Sequence, residues 1–288
     1  MINICINNRS ISYINWIPSE TGPLINNFGS FDSDGYINDY IVEIYNSLKN
    51  TKPIFNISID HTLVDIFEIN CPKSIDPNAY IEWYLMNLYG EKLNSFDHYQ
   101  YLLKDTYLNI SLDKMNKSRI YDLNIQPEAE IRFISVDIFS AECGARNWFK
   151  AEGNYVIWKI GKRGVGHILI IKNNILASFF NVKLKKNNYE KTTSLVDDGS
   201  SKEFIKHINN LLVNEKDKSK IENNYGEIFF YNGGCGRSVF NNFIGINSKY
   251  FTPLNPFDVI KITTNKPNDL YEETLYAEAG IGFSGLDV

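Results

Sequence analysis

The chain has 288 residues, of which 43% are hydrophobic, 14% aromatic and 22% charged, a balance that excludes a disordered, collagen-like or low-complexity protein. That length accommodates one large domain or two lobes with cores of their own. A net charge of −5 without any long basic run leaves no electrostatic footprint for nucleic acid or anionic lipid. The chain opens with alternating strands from Ile2 to Ile6 and from Ser10 to Trp16, joined by a tight polar turn at Asn7, Asn8 and Arg9. A third strand is expected from Leu24 to Phe28. The spacing Ile37, Ile41, Ile44, Tyr45, Leu48 predicts a helix ending before Pro53, and strands follow from Ile54 to Ile59 and from Leu63 to Ile69.

Asp76 and Pro77 mark a helix start, and the face Tyr80, Ile81, Tyr84, Leu85 and Leu88 is expected to pack into a core before Gly90 stops the helix. Strands are expected from Tyr99 to Leu103 and Tyr107 to Leu112, then a short helix from Lys117 to Leu123. A strand from Ile131 to Val136 precedes a helix rich in small residues, Phe139 to Phe149. After Gly153 and Asn154 a second series begins. Tyr155 to Ile160, His167 to Lys172 and Ile175 to Val182 form two hairpins. An amphipathic helix from Ser201 to Val213, a charged connection from Glu215 to Lys220 and a strand from Glu227 to Tyr231 follow. That last strand runs into Gly233, Gly234, Cys235 and Gly236, and a helical stretch from Tyr271 to Phe283 closes the chain. Both halves begin with the same strand–turn–strand–strand order without sharing sequence.

The four cysteines (Cys5, Cys71, Cys143, Cys235) and four histidines (His61, His98, His167, His207) are scattered, with no C-x-x-C or H-E-x-x-H pairing. No zinc site and no disulfide framework are expected, and reduced thiols point to a cytosolic compartment. The N-terminus lacks the cationic start and apolar stretch of a signal peptide, and no apolar run reaches bilayer length. Gly161 to Gly166 has neither the spacing of a Walker loop nor the context of a dinucleotide turn.

Several stretches, spread from one end of the chain to the other, resemble the PilM-type proteins of type IV pilus assembly, members of the actin-like ATPase superfamily. Ile4 to Ile11 sits where that family has its first phosphate hairpin, and Ser135 to Ala141 is similar to its strand-to-helix connection. Trp158 to Asn174 resembles the second phosphate hairpin, and Ile228 to Gly236 the strand and glycine turn beneath the adenosine. Leu254 to Phe257 and Tyr276 to Gly282 resemble the family's closing segments. The resemblance implies a mixed α/β fold of the actin-like, ribonuclease-H-like type. Residues 1–152 with 271–288 would form the first lobe, interrupted by an extra subdomain at about 58–122, and residues 153–270 the second.

The resemblance also locates a nucleotide cleft, at Gly161, Lys159, Asp137, Gly233, Gly234 and Gly236. In an active member each phosphate hairpin carries an aspartate that holds hydrated magnesium. Cys5 and Lys159 stand at those two positions. Cysteine is a poor ligand for magnesium, which prefers oxygen. Either Lys159, Lys162 or Arg163 meets phosphate directly, or the site has lost its nucleotide and these cations face solvent; the second reading is favoured. Asp137 is then expected to cap the helix beginning near Phe139, and the glycines to supply positive φ. No catalytic residue, no metal and no cofactor are expected, with ATP binding weak at most. The implied function is a pseudo-ATPase scaffold, cytoplasmic and recruited peripherally to the inner membrane, in a type IV pilus or type II secretion-like platform. It would bind the cytoplasmic N-terminal tail of a single-span membrane protein, with the assembly motor ATPase as a further partner. The alternative is an active ATP-binding protein or kinase of the same superfamily.

Overall fold

The computed structural model describes residues 1–7, 10–17, 19–20, 22–32, 42, 44, 46, 54–121, 130–185, 188–213, 225–247 and 251–283. In chain order the described strands and helices begin with β1 (Ile2–Asn7), β2 (Ser10–Ile17), β3 (Leu24–Asp32), β4 (Ile54–Ile59), β5 (Val64–Ile69), α1 (Pro77–Tyr89), β6 (Phe96–Leu102), β7 (Tyr107–Asp113) and α2 (Lys114–Tyr121). Next come β8 (Glu130–Val136), α3 (Asp137–Phe149), β9 (Tyr155–Ile160), β10 (Val165–Lys172), β11 (Ile175–Lys185), β12 (Asn188–Asp197), α4 (Ser200–Val213), β13 (Glu227–Asn232) and α5 (Arg237–Asn247). The chain ends through β14 (Thr252–Pro253), α6 (Pro256–Val259), β15 (Lys261–Ile262), α7 (Leu270–Glu273) and a 3-10 segment, Thr274–Phe283. The helix expected from Ile37 to Leu48 lies for the most part outside the described residues, and the connection from Glu215 to Lys220 lies wholly outside them.

Two compact units emerge, Met1–Asp60 with Ile125–Val288, and His61–Asn124. The larger unit holds two separate six-stranded sheets, ordered β15-β3-β2-β1-β4-β8 and β12-β11-β10-β9-β13-β14. In the first, β1 pairs antiparallel with β2 and parallel with β4, which pairs parallel with β8. Being central, β1 is buried on both faces, so even its polar residues must be satisfied internally. Asn3 Nδ2 donates to the Ala279 carbonyl at 2.7 Å and Asn3 Oδ1 accepts from Asn56 Nδ2 at 2.8 Å. Cys5 packs with Ile14, Trp16, Ile25, Trp148 and Tyr276.

The second sheet repeats the design. β9 is buried along its whole length, pairing antiparallel with β10 and parallel with β13. Asn173 and Asn174 adopt positive φ at the β10–β11 turn, as a two-residue hairpin requires. Trp158, Phe180, Phe204, Phe230, Phe240 and Phe243 form the core between this sheet and its helices. Strand β12 was not expected, and β15 joins the first sheet beside β3 although it precedes the expected lobe boundary at residue 270. A two-residue parallel bridge leaves too short a pattern to read.

The smaller unit is an antiparallel sheet, β5-β7-β6, with α1 packed on it through Ile69, Ile81 and Leu85. Asp76 caps α1 by accepting from Ala79 N at 2.9 Å, and Gly90 ends it at φ 55°. Tyr80 and Tyr84 pack against that cluster, but Leu88 does not join it. The buried seam centres on Ile81 and Leu85, and Leu88, in the last turn, is 54% exposed.

Candidate functional site

The cleft residues converge because four elements of the larger unit end or pass there: the β8–α3 junction, β9, β13 and the closing 3-10 segment. Lys159 projects from β9 and is 2% exposed. Its Nζ lies 2.5 Å from Asp137 Oδ2 and 2.8 Å from Glu278 Oε1. Glu278 Oε1 also accepts from the Tyr231 hydroxyl of β13 at 3.1 Å. Asp137 is the first residue of α3, preceded by Val136 as N-cap, and its Oδ1 accepts from Ile138 N at 2.6 Å. It is therefore not the cap of a helix starting at Phe139. Its carboxylate sits at the helix N-terminus, where the macrodipole favours negative charge.

Asp137 and Glu278 belong to the first lobe, since the closing segment packs chiefly on α3 and the first sheet. Lys159 and Tyr231 belong to the second sheet, so the ion pairs bridge the two lobes. The same segment is tied to β13 through the Thr274 hydroxyl, which accepts from Asn232 N at 3.3 Å, and α7 is tied there by Asn232 Nδ2, which donates to the Tyr271 carbonyl at 3.0 Å.

Burial by itself would depress the Lys159 pKa, but the charges of Asp137, Glu278 and Asp60 more than reverse it, and the ammonium is held above the ordinary lysine value. Glu278 shifts upward because burial and the Asp137 charge outweigh the pull of Lys159. Several carboxylates thus share one buried cation, and Lys159 stays charged. Burial, then the Glu278 charge, push the Cys5 thiol well up, so it stays protonated.

The glycines have specific causes. A Cβ at Gly233 would fall 2.4 Å from both Cγ and Cε of Lys159, so glycine there is room for the lysine stem. A Cβ at Gly161 would lie 2.6 Å from His167 Nε2, while Gly161 N closes the hairpin by donating to the Val165 carbonyl at 2.8 Å. Gly234, at φ +87°, is the one residue of the Gly233–Gly236 turn with positive φ. The turn is built by Asn232, whose Oδ1 accepts from Gly234 N and Cys235 N, both at 3.0 Å. Gly236 has open space beside it and its carbonyl starts α5. Lys162 and Arg163 are exposed, and Arg163 borders a cavity of about 280 Å³ over Trp158, Tyr189 and Phe243.

The structure thus brings Asp137, Lys159 and Gly233 together and leaves Gly161, Gly234 and Gly236 as turn residues. Lys159 does not face solvent; it is neutralised internally. These residues do not suit a magnesium nucleotide: Cys5 offers a protonated thiol, and the Lys159 ammonium already occupies the two nearby carboxylates. Sequence reasoning missed Glu278, Tyr231 and Asp60 as partners. The available signal was a lone carboxylate, Glu278, inside the apolar run from Leu275 to Ile281.

No family model and no curated protein matches this chain. Among solved structures it is similar to the PilM–PilN type IV pilus biogenesis complex, with 11% identity, 100% of this chain and 98% of that one covered, and a TM-score of 0.61. It is also similar to the cytoplasmic domain of EpsL, an inner membrane component of the type II secretion system of Vibrio cholerae, at 8% identity, 96% and 93% coverage and a TM-score of 0.47. A Bacteroides thetaiotaomicron protein with an actin-like ATPase fold matches at 11% identity, 88% and 89% coverage and a TM-score of 0.41. With its two bridged sheets, the chain has a mixed α/β, two-lobe actin-like fold.

Proposed function

We propose that this protein is an actin-like scaffold of an inner-membrane assembly platform of the type IV pilus or type II secretion kind, and that it holds the cytoplasmic N-terminal tail of a membrane partner. The observation that carries this reading is the fold likeness over the whole chain, at a TM-score of 0.61, to a complex named for PilM, PilN and pilus biogenesis. No described helix is long and apolar enough to cross a membrane, so placement at the platform would come through protein contacts. The cleft supports a role without turnover, because its cation position is filled from within by Lys159.

The smaller unit offers a docking surface. Strand β6 forms one edge of its sheet and exposes Tyr99, Tyr101 and Leu102. An extended tail would add beside it, with backbone pairing setting the register and side-chain pockets the choice of partner. The test has two arms. A peptide of the candidate partner's tail is titrated against the purified protein, and cells lacking that tail are fractionated. Expected are saturable binding that Tyr101→Glu weakens at least tenfold, and loss of the protein from the membrane fraction. Unchanged membrane association in the tail-deleted strain would sink the reading. Titration with ATP, with and without magnesium, separates it from an active nucleotide-binding protein, for which magnesium-dependent binding is required.

A further inference from the structure

We infer that Lys159 is a built-in cation: its tethered ammonium occupies the place where a nucleotide-loaded actin-like cleft keeps an exchangeable metal, and it holds the two lobes together without any ligand. The inference rests on the actin-like fold and the side chains of the cleft, not on tail binding, so a failed tail titration leaves it standing.

Lys159 is fully buried, bonds a carboxylate at the head of α3 at 2.5 Å and one on the closing segment at 2.8 Å, and crosses from the second sheet to reach them. Asp60, at the end of β4, adds a further negative charge, and its carboxylate lies within 4.8 Å of that of Asp137. Two carboxylates meeting at one point, with that of Asp60 close to one of them, make the oxygen-rich setting that a hard divalent cation takes. Here one ammonium meets them. The stem of that lysine passes over Gly233 with no space for a Cβ, so the turn is shaped to admit the lysine.

Removing the ammonium leaves buried carboxylates facing each other without a counter-ion. Lys159→Met should therefore lower the thermal midpoint by on the order of 10 °C. Lys159→Ala, which deletes the stem as well, opens a slot of the shape of propylammonium, lined at its end by the opposite charge. Its midpoint should recover in propylammonium chloride and in magnesium chloride, but not in propanol or in sodium chloride of equal ionic strength. Wild-type protein should respond to none of these, nor to magnesium with ATP. The inference is overturned if Lys159→Met is as stable as wild type, if neither cation helps Lys159→Ala more than propanol and sodium chloride do, or if magnesium with ATP stabilises the wild type. Should Lys159→Ala fail to fold, the combined Lys159→Met, Asp137→Asn, Glu278→Gln variant decides. A midpoint well above that of Lys159→Met supports the tethered cation, and one no higher overturns it.

Discussion

Lys159 and Gly233 are coupled through space, because the methylene stem of one fills the volume that a Cβ on the other would need. Gly233→Ala is therefore expected to cost about 2 kcal/mol or more in denaturant unfolding through overpacking alone. In a Lys159→Ala background the same substitution should be close to neutral, and the double-mutant cycle should show a coupling of about 1–3 kcal/mol. Additive effects would mean that the glycine serves its turn and not the lysine. The family resemblance put both residues in one cleft, Lys159 in the second phosphate hairpin and Gly233 in the glycine turn after a strand, yet with the wrong reason for each. Positive φ belongs to Gly234 alone in that turn, and Lys159 meets carboxylates rather than phosphate or water. A linear pattern shows which residues a motif contains, whereas charge neutralisation depends on segments more than a hundred residues apart, such as Lys159 and Glu278.

At the scale of elements, the position of Glu278 depends on how closely the closing segment approaches α3. A Cβ on Gly280 would lie 2.5 Å from Gly144 Cα and 2.6 Å from the Ser140 carbonyl oxygen, so the two segments touch backbone to backbone. Gly280→Ala must push them apart, and backbone cannot yield as a flexible side chain can. The expected loss is about 2–4 kcal/mol, larger than for an ordinary core overpacking, because Glu278 is drawn away from Lys159 at the same time. Urea unfolding of the single variant, compared with Gly280→Ala in the charge-neutral Lys159→Met, Asp137→Asn, Glu278→Gln background, separates the steric cost from the electrostatic one. Equal costs in both backgrounds would show that the contact does not position Glu278. The small residues of α3 were visible in the sequence; their partner was not, since the chain from Tyr271 onward reads as a plain helix and is mostly 3-10. Strand β12 escaped for another reason. Along Asn188–Asp197 only Tyr189 and Val196 are buried, and its pairing with β11 carries two register shifts, so no period-two alternation is present to be read.

For the whole molecule, most of the long strands of both sheets are legible from alternation and turn chemistry, but β12, β14, β15 and the order in which the strands pair are not, and one of the ties between the two lobes is an internal charge cluster with its own pH signature. Three groups around it hold their protons more tightly in the folded protein than in the unfolded chain: the Cys5 thiol and Tyr231 phenol, both raised first by burial and then by the Glu278 charge, and the Lys159 ammonium, raised against burial by Asp137 and Glu278. The unfolded chain releases these protons at about 8.5, 10 and 10.4 for thiol, phenol and ammonium. Above those values the folded state binds more protons than the unfolded one, so stability falls as pH rises. The contribution of Lys159 is complete below about pH 10.4 and is lost as pH climbs toward its folded pKa. Urea midpoints should accordingly decline from about pH 8.5 and steepen beyond about pH 10. Cys5→Ala should lessen the first part of that decline, of which the buried Cys235 thiol keeps a share, and leave the second. Replacing Lys159, Asp137 and Glu278 together by Met, Asn and Gln should lessen the second part without abolishing it, because the Lys159 ammonium is gone while burial still raises Tyr231 and the phenols of Tyr89, Tyr155, Tyr225 and Tyr276. A wild-type midpoint that stays level from about pH 8.5 to 10.5 would mean that these groups titrate as they do in water, and that solvent rather than the lysine fills the cleft.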